Sequence, residues 1–383
     1  MQFDFATSAR VVFARGAIAQ LPSIVGEFGR RVLLVTGRDS RRASKLVGEL
    51  QRAGIEVFVF AVDGEPTLEI VRQGVKSARE RAEVVTGFGG GSAIDAAKAI
   101  AALAPNSGEP LDYLEIIGKG HALERSTLPF IAVPTTAGTG AEVTRNAVLD
   151  SPEHGIKASL RSPQMLAKAA LIDPELTLNL PANLTASTGL DALTQLIEPY
   201  VSARANPLTD MFCVEGMKGV ARFLKIAYRD GQNCEARESM SFASLLGGLA
   251  LANAGLGVVH GFAAPLGGML HAAHGALCAA VLPHGMAMNI RALRDRAPGD
   301  SAIERYRKIA RILTGNSTAE PEDGAEWVGV LCQDLSIAPL RAHGLEALQI
   351  PVLVARAARA NSMKGNPVEL SQAELTEIAE RAL

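Results

Sequence analysis

Residues 83–98 read EVVTGFGGGSAIDAAK, an apolar segment followed by three glycines and then by an alanine-rich segment. An apolar run without alternation is typical of a strand in a parallel sheet that is covered on both faces. Glycines let backbone N–H groups approach an anion, and a helix starting near Ser92 directs its positive end at that anion. The stretch therefore predicts a strand, a phosphate-binding turn and a helix that Ser92 caps. A tight strand-to-helix turn without a ligand is the alternative, because neither a Walker loop nor a GxGxxG fingerprint is present.

Similar apolar segments lie on both sides of this stretch. Residues 31–36 (RVLLVT), 56–60 and 129–133 are short apolar runs, and residues 41–53 and 68–80 have helical periodicity. Strands that alternate with helices indicate β-α-β units and a doubly wound sheet. The first part of the chain is therefore predicted to be an α/β domain with a parallel sheet.

Helical periodicity prevails from residue 181 to the C-terminus, and no pair of strands is recognisable there. The predicted helices are 184–201, 207–225, 234–254, 276–291, 301–313, 322–335, 345–360 and 372–382. We therefore predict two domains, an α/β dinucleotide-binding domain over residues 1–178 and an all-helical domain over residues 179–383.

The overall composition favours a soluble cytoplasmic protein. The chain has 383 residues, 48% of them hydrophobic, and a formal net charge of −2 without a basic stripe, which argues against nucleic acid as a partner. The N-terminus lacks a signal-peptide pattern, and the most apolar run, 245–259, is short and contains Asn253, so no membrane span is predicted. The four cysteines lack CxxC spacing and are predicted to be reduced core residues.

A second loop rich in small polar residues follows the strand at 129–133. Residues 134–144 read PTTAGTGAEVT, and their hydroxyl and amide groups suit a pyrophosphate or a ribose. Two such loops at the carboxyl ends of strands in one sheet indicate a nucleotide site. The residues predicted to bind the cofactor in these loops are Gly89, Gly90, Gly91, Ser92, Asp95, Thr135, Thr136 and Thr139.

Histidines cluster in one nearly uncharged stretch of the second half. Residues 255–284 contain His260, His271, His274 and His284 among small and apolar residues. An imidazole in an apolar segment needs partners for two nitrogens, and four of them favour a metal or catalytic site over a core helix with incidental histidines. We place His260 and His274 on helices separated by a break at residues 265–268.

A carboxylate and an amide share one face of a preceding helix. Asp191 and Gln195 lie four residues apart in TGLDALTQLIE, so both side chains project to the same side. This pair is predicted to supply half of a divalent metal site, with His260 and His274 as the other half. A simple acidic position on a helix face is the alternative for Asp191.

Together these motifs resemble the iron-containing (group III) alcohol dehydrogenase family over essentially the full chain. The matching segments are GGGSAIDAAK, PTTAGTGAEVT, IDPEL, TGLDALTQLIEPYVS, GVVHGFAAPLGG and HAAHG followed by AVLPH. The resemblance implies a dehydroquinate synthase-like architecture, a nicotinamide cofactor and a catalytic divalent ion, Fe or Zn, in a crevice between the domains. It also implies a small alcohol, aldehyde or ketone as the substrate, and a homodimer.

The family pattern is matched incompletely at the metal. The family holds its ion with an Asp and a His four residues apart and with two histidines fourteen residues apart. Asp191, His260 and His274 match, whereas Gln195 occupies the first His position. An amide oxygen is a poorer ligand than an imidazole for Fe²⁺ or Zn²⁺. A family histidine associated with proton transfer is Ala264 here, so His271 or a water chain is the predicted proton route.

The resemblance also bears on the choice of cofactor. In the family, a carboxylate just after the first apolar strand favours NAD, but Gly37 and Arg38 follow that strand here, with Asp39, Ser40, Arg41 and Arg42 close behind. A solvated basic turn, in which Asp39 can reorient, is the alternative to a phosphate-binding one. The missing acid and the guanidinium groups favour NADP, because arginine pairs with phosphate through two hydrogen bonds. Lys157 matches a family position that approaches the cofactor.

The leading hypothesis is a metal-assisted, NAD(P)-dependent alcohol dehydrogenase or carbonyl reductase with His260, His271 and His274 as catalytic residues. One alternative is a metal-independent keto-acid reductase similar to maleylacetate reductases, in which histidines donate hydrogen bonds to the carbonyl group. A lyase of the dehydroquinate synthase type and a binding-only relative are further alternatives. The lyase requires a Lys/Arg cluster for a substrate phosphate, and the second half of the chain is poor in these residues around its motifs.

Overall fold

A computed structural model describes residues 2–383 of the chain. Contacts divide these residues into two compact units. The α/β unit comprises Phe5–Thr136 and Gly140–Thr177. The helical unit comprises residues 2–4, Ala137–Thr139 and Leu178–Leu383.

The α/β unit is built on a parallel sheet. Its strands are β1 (Val11–Phe13), β2 (Arg31–Gly37), β3 (Glu56–Val62), β4 (Val84–Gly89), β5 (Phe130–Pro134), β6 (Asn146–Ser151), β7 (Ile156–Arg161) and β8 (Ala169–Ile172). Six of them form a sheet in the order β1-β8-β5-β4-β2-β3, with every neighbouring pair parallel. The predicted parallel sheet is confirmed. The helices of this unit are α1 (Leu21–Gly26), α2 (Ser44–Arg52), α3 (Leu68–Arg81) and α4 (Gly91–Leu103).

Both faces of the sheet are covered, as the uninterrupted apolar run of β2 predicts. Leu33 and Val35 face one side and pack in a cluster with residues of α3 and α4. Val32 and Leu34 face the other side and pack with residues of α1 and α2. Side chains alternate along a strand, so a strand that is apolar at every position must be buried on both faces.

Two parts of this unit were not predicted from the sequence. β6 and β7 form an antiparallel hairpin whose turn, Pro152–His154 followed by Gly155, lacks the Asn-Gly or Asp-Gly signal of a tight hairpin. β8 is only AALI, and its strand conformation depends on its place between β1 and β5 rather than on β-propensity.

The helical unit confirms the prediction of an all-α second half, since the structure assigns no strand within residues 178–383. Its helices are α5 (Ala182–Val201), α6 (Pro207–Arg229), α7 (Cys234–Ala254), α8 (Val258–Leu270), α9 (His274–Arg296), α10 (Ser301–Thr314), α11 (Pro321–Asp334), α12 (Ile350–Ala357) and α13 (Gln372–Ala382). α5 is buried along almost its whole length and packs against α6, α7 and α9.

The predicted break at residues 265–268 is wrong. α8 continues through Pro265 and both glycines to Leu270, and the chain leaves the helix at His271, whose φ is 51°. A proline in a helix removes only one N–H donor, and tertiary packing of this buried helix compensates for that loss. The predicted helix 345–360 is also shorter, because a 3₁₀ turn at Ala347–Gln349 precedes α12.

α9 is long and apolar enough to cross a membrane by length and composition alone. In its most apolar window, 67% of the residues are buried inside the protein. That pattern is the one a core helix of a globular protein has, because its apolar side chains already contact other helices.

Candidate active site

The carboxyl ends of β2 and β4 lie side by side in the α/β unit. The connection after β2 leads to β3 on one side, whereas the connection after β4 leads to β5 on the other. Open α/β sheets bind ligands where the strand order reverses in this way. Gly37 ends β2 and Gly89 ends β4, so the structure brings these two predicted cofactor residues to the reversal point.

Gly89 and Gly90 have no side chains, so the backbone at this edge of the sheet stays accessible to a ligand. A Cβ atom on Gly89 would lie 2.7 Å from the Ala93 side chain and 3.4 Å from the Gly37 nitrogen. A Cβ atom on Gly90 would lie 3.2 Å from Thr136, so this predicted residue belongs to the same edge. The Thr135 amide donates to the Gly89 carbonyl at 2.8 Å.

The first turn of α4 differs from the prediction in one detail. The helix begins at Gly91 with Gly90 as its N-cap, and no side chain caps it. The predicted cap by Ser92 is therefore wrong, because the helix starts one residue earlier and Ser92 lies inside its first turn. Amide groups that no side chain caps are the donors that anions use at helix N-termini.

Asp95 and Lys157, two further predicted cofactor residues, have protein partners. The Asp95 carboxylate accepts a hydrogen bond from the Val148 amide at 3.0 Å and lies 3.7 Å from the Lys98 ammonium group. The ammonium group of Lys157 forms an ion pair with Glu65 at 3.2 Å, and its side chain is almost fully buried. Thr139 belongs to the helical unit.

The segment after β2 carries two exposed ion pairs. Arg38 pairs with Asp63, and Arg41 pairs with Asp39 at 2.8 Å, with 79% and 89% of the two arginine side chains exposed. The side chain of Asp39 also accepts from the Arg41 amide, and these bonds lower the pKa of Asp39 below its usual value. Exposed pairs of this kind contribute little to stability and exchange partners readily.

The helical unit brings three of the predicted metal ligands together. The Asp191 Oδ1 atom lies 3.6 Å from His260 Nε2 and 3.8 Å from His274 Nε2. Cys278, which the sequence analysis assigned to the core, lies beside them with its Sγ atom 3.5 Å from His274 Nε2. One possible ligand atom from each of these four residues lies within 4.8 Å of all the others. We call these four residues the Asp191 cluster.

The cluster contains a buried polar atom that has no hydrogen-bond partner. Asp191 is 1% exposed, and its Oδ1 atom accepts no hydrogen bond from any of the described residues. A buried carboxylate oxygen without a partner is costly, and a bound cation is the usual compensation. Gln195 is also buried, and its Oε1 atom likewise has no partner within residues 2–383.

Glu198 orients His260 from the side opposite Asp191. His260 Nδ1 donates to Glu198 Oε2 at 2.6 Å, and the Val259 amide donates to Oε1 at 2.6 Å. Glu198 therefore also accepts at the N-terminus of α8, where backbone amides need partners. Because Nδ1 donates to Glu198, Nε2 is the nitrogen whose lone pair can bind a metal once its own proton has left.

Charges within the cluster shift the pKa values of its members. Burial raises the pKa of Asp191, but the nearby imidazoles of His260 and His274 outweigh it and hold the pKa below its usual value. Burial opposes the charged form of the histidines, yet Cys278 and nearby carboxylates raise the pKa of His260 well above its usual value and that of His274 to about 9. A metal ion must displace these protons when it binds.

Gly275 allows α9 to approach α5 closely. A Cβ atom at this position would lie 2.5 Å from the Ser187 carbonyl oxygen and 3.2 Å from the Asp191 Cβ atom. No side chain fits without a movement of one helix. The glycine beside His274 therefore lets this imidazole reach Asp191.

His271 is outside the Asp191 cluster. It ends α8 in the left-handed conformation and its side chain is exposed. His271 was predicted as a catalytic residue together with His260 and His274. It lies in the short connection between the end of α8 and the start of α9, and its imidazole is on the surface.

Comparison with known proteins identifies the family of the chain. Residues 8–174 match the model of the family described as iron-containing alcohol dehydrogenase, and residues 185–383 match the C-terminal model of the Fe-containing alcohol dehydrogenase family. The chain belongs to the iron-containing alcohol dehydrogenase family. It is therefore an oxidoreductase that acts on CH–OH groups, and its family implies NAD(P) and a divalent metal.

Named members of the iron-containing alcohol dehydrogenase family match over nearly the whole chain. 1,3-Propanediol dehydrogenase from Citrobacter freundii is 34% identical over 99% of this chain and 98% of its own. Alcohol dehydrogenase 4 from Saccharomyces cerevisiae (strain YJM789) is 33% identical over 97% of this chain and 96% of its own. A crystal structure of a 1,3-propanediol oxidoreductase superposes with a TM-score of 0.92, at 34% identity, and both chains are covered completely.

Cys278 and Glu198 are the two residues of this family member's site that the sequence analysis missed. Both are visible as spacings, since Cys278 lies four residues after His274 and Glu198 lies seven residues after Asp191. These intervals place each residue on the same helix face as the ligand that precedes it. The spacings become informative once α9 is known to begin at His274 rather than at residue 276.

Proposed function

We propose that the protein is a metal-assisted, NAD(P)-dependent alcohol dehydrogenase that interconverts small alcohols with aldehydes or ketones. The observation that carries this proposal is the convergence of Asp191, His260 and His274 around a buried carboxylate oxygen that accepts no hydrogen bond within residues 2–383. The family assignment supports the reaction class, and the two named relatives act, by their names, on an alcohol and on 1,3-propanediol.

The residues present fit both absent groups. When bound, the nicotinamide would supply the hydride and the divalent ion would polarise the carbonyl oxygen. The Asp191 cluster offers carboxylate and imidazole donors for the ion. The uncapped first turn of α4 and the glycines at its start offer backbone amides for the pyrophosphate. We propose that the α/β unit is the cofactor domain and the helical unit the catalytic domain.

The histidines of the cluster have separate roles in this proposal. Glu198 keeps the Nδ1 proton of His260 in place, so Nε2 acts as a ligand and not as a donor. His274 begins α9, and Gly275 allows it to approach Asp191. Both imidazoles are thereby held by the fold before substrate arrives, which lowers the cost of ordering the site.

We propose that His271 exchanges the substrate proton with solvent. Its side chain is exposed at the end of α8, three residues before His274, and Ala264 cannot carry a proton. His271→Asn tests this role, because asparagine tolerates the left-handed conformation but does not titrate near neutral pH. We expect a lower kcat with an unchanged metal content. An unchanged kcat across the pH range would exclude His271 from proton transfer.

We propose that the enzyme prefers NADP. No carboxylate ends β2, and the exposed guanidinium groups of Arg38 and Arg41 can leave Asp63 and Asp39 for a 2′-phosphate. A shallow depression lined by Ser40, Arg41, Ser44, Val47 and Val59 adds hydroxyl groups beside them. We expect a lower KM for NADPH than for NADH, and loss of this difference in Arg38→Leu combined with Arg41→Leu. Equal KM values for the two cofactors in the wild type would contradict the preference.

A soluble cytoplasmic homodimer remains the predicted form of the enzyme. The burial of α9 inside the helical unit supports a soluble form. Light scattering of the purified protein measures the oligomeric state directly.

The test of the proposed function combines metal analysis with activity. We expect about one equivalent of a divalent metal per chain, NAD(P)H-dependent reduction of small aldehydes, and loss of both in Asp191→Ala. Full activity of His260→Ala would contradict the proposal. Turnover of keto acids that survives complete metal removal would instead favour the metal-independent reductase.

A further inference from the structure

The family's metal set is incomplete in this chain. Gln195 occupies the position of one ligand histidine, so one imidazole is missing from α5. A different helix supplies another donor beside Asp191. Cys278 lies one turn after His274 on α9, and its side chain is fully buried in the Asp191 cluster.

We propose that the Cys278 thiolate is the fourth protein ligand of the metal, in place of the missing histidine, and that the site therefore selects zinc. The proposal deepens the function proposed above and rests on it. On binding, the thiol proton is released to solvent and the sulfur bonds to the ion.

The distances within the cluster fit a tetrahedral site. Tetrahedral ligands at about 2.0–2.3 Å from a metal lie about 3.3–3.8 Å from one another. Asp191 Oδ1 lies 3.6 Å from His260 Nε2 and 3.8 Å from His274 Nε2, and His274 Nε2 lies 3.5 Å from Cys278 Sγ. Three of the six edges of the tetrahedron are thus already near their final length.

The type of donor decides which metal fits. A thiolate, two imidazoles and one carboxylate form a borderline-soft set that suits zinc in tetrahedral geometry. The side-chain oxygen of Gln195 is a harder, neutral donor and a weaker ligand for zinc. With Cys278 bound, a substrate oxygen would enter as a fifth ligand, an expansion that catalytic zinc sites allow.

The other cysteines provide the comparison. Cys234 is exposed, whereas Cys213 and Cys332 are buried, and neither buried thiol belongs to a group of metal-ligating side chains within residues 2–383. Burial raises the pKa of Cys332 to about 12, as expected for a thiol in an apolar core. Cys278 is the one cysteine within residues 2–383 that lies in a group of metal-ligating carboxylate and imidazole side chains.

Cobalt spectroscopy tests the proposal directly. The apoprotein is loaded with Co²⁺, which reports its coordination through visible bands and reports thiolate ligation through a near-ultraviolet charge-transfer band. We expect both signals in the wild type, in Cys234→Ser and in Gln195→Met, and we expect Cys278→Ser to lose the near-ultraviolet band. Cys278→Ser should also lower the Zn²⁺ affinity about 100-fold, the upper end of what even an outer partner contributes.

The outcomes separate this inference from the proposed function. Visible bands without a thiolate band in the wild type would overturn Cys278 ligation and leave metal-assisted catalysis intact. No cobalt binding at all would remove both. A thiolate band that persists in Cys278→Ser and disappears in Cys234→Ser would also overturn the assignment.

A measurement on the unmodified protein covers the case in which the variant fails to fold. X-ray absorption of the zinc-loaded wild type should show one sulfur neighbour at about 2.3 Å beside nitrogen and oxygen neighbours at about 2.0–2.1 Å. A shell of nitrogen and oxygen alone would refute the proposal.

Discussion

Glu198→Gln tests how the fold prepares His260 for metal binding. The carboxylate accepts two hydrogen bonds, from His260 Nδ1 and from the Val259 amide, both at 2.6 Å. A glutamine has one acceptor oxygen and one NH₂ group, so it satisfies only one of the two donors. Either α8 loses its amide partner or the NH₂ group faces His260.

The second arrangement changes the tautomer of the imidazole. An NH₂ group that faces Nδ1 makes this nitrogen an acceptor, and the proton moves to Nε2, the atom that faces Asp191. A protonated Nε2 does not bind a metal. Loss of a partner of this kind typically lowers metal affinity about 10- to 100-fold, which corresponds to about 1.4–2.7 kcal/mol. Glu198 and His260 are both nearly fully buried, so we expect the upper half of this range.

The assay is a Zn²⁺ titration of the apoprotein against a chromophoric chelator, with Glu326→Gln as the control. Glu326 lies exposed on α11, and its variant carries the same change of charge. Nitrogen chemical shifts of His260 report the tautomer independently. A zinc Kd equal to that of the wild type, with the proton still on Nδ1, would refute the positioning role of Glu198.

Three further changes probe the packing that holds the sites. Gly275→Ala should lower the free energy of unfolding by about 1–3 kcal/mol and weaken zinc binding, because its Cβ atom would lie 2.5 Å from the Ser187 carbonyl oxygen. Gly299→Ala is the control, because a Cβ atom there has open space. Equal melting temperatures of the two variants would contradict the close approach of α9 to α5. Lys98→Met should cost about 3–5 kcal/mol in urea denaturation, since it removes the donor of three hydrogen bonds no longer than 2.8 Å and the positive charge beside the Asp95 carboxylate; a loss under about 1 kcal/mol would show that these groups find other partners. Burial raises the pKa of Glu142 from 4.5 to about 7, so the folded protein binds this proton more tightly than the unfolded chain and stability falls as the pH rises between these values, by up to about 3 kcal/mol. Glu142→Gln should therefore raise the melting temperature at pH above about 7 and leave it unchanged near pH 4; parallel profiles for the two proteins would contradict the shift.

The parallel sheet could be predicted from the sequence because residues 32–35 of β2 are all apolar and β4 shows no alternation of polar and apolar residues, a pattern that indicates burial on both faces. The hairpin of β6 and β7 could not be predicted from the sequence. Its turn has no strong local signal, and its position depends on contacts with α3 and α4 that are far away in the chain. Local patterns specify elements, whereas such pairings follow from tertiary packing.

The candidate metal ligands also differ in how readily the sequence reveals them. Asp191, His260 and His274 are polar residues in apolar helices, which makes them conspicuous in the sequence. Cys278 is not conspicuous, because a cysteine in a core helix is an ordinary residue. Its relation to His274 depends on a helix that starts at residue 274, and helix starts are the least certain feature of a sequence-based prediction.

Gln195 and Cys278 are best understood as one change rather than two. A loss of one histidine alone would leave the buried Asp191 carboxylate with fewer partners, and a thiol alone would crowd a complete site. The two positions belong to different helices, α5 and α9, but their neighbours meet at Asp191. A ligand can therefore leave one helix and be replaced from another while the number of donors around the ion stays the same. A comparison of motifs along the chain reveals only that Gln195 stands in place of a histidine. The replacement ligand, Cys278, lies 83 residues further on in the sequence.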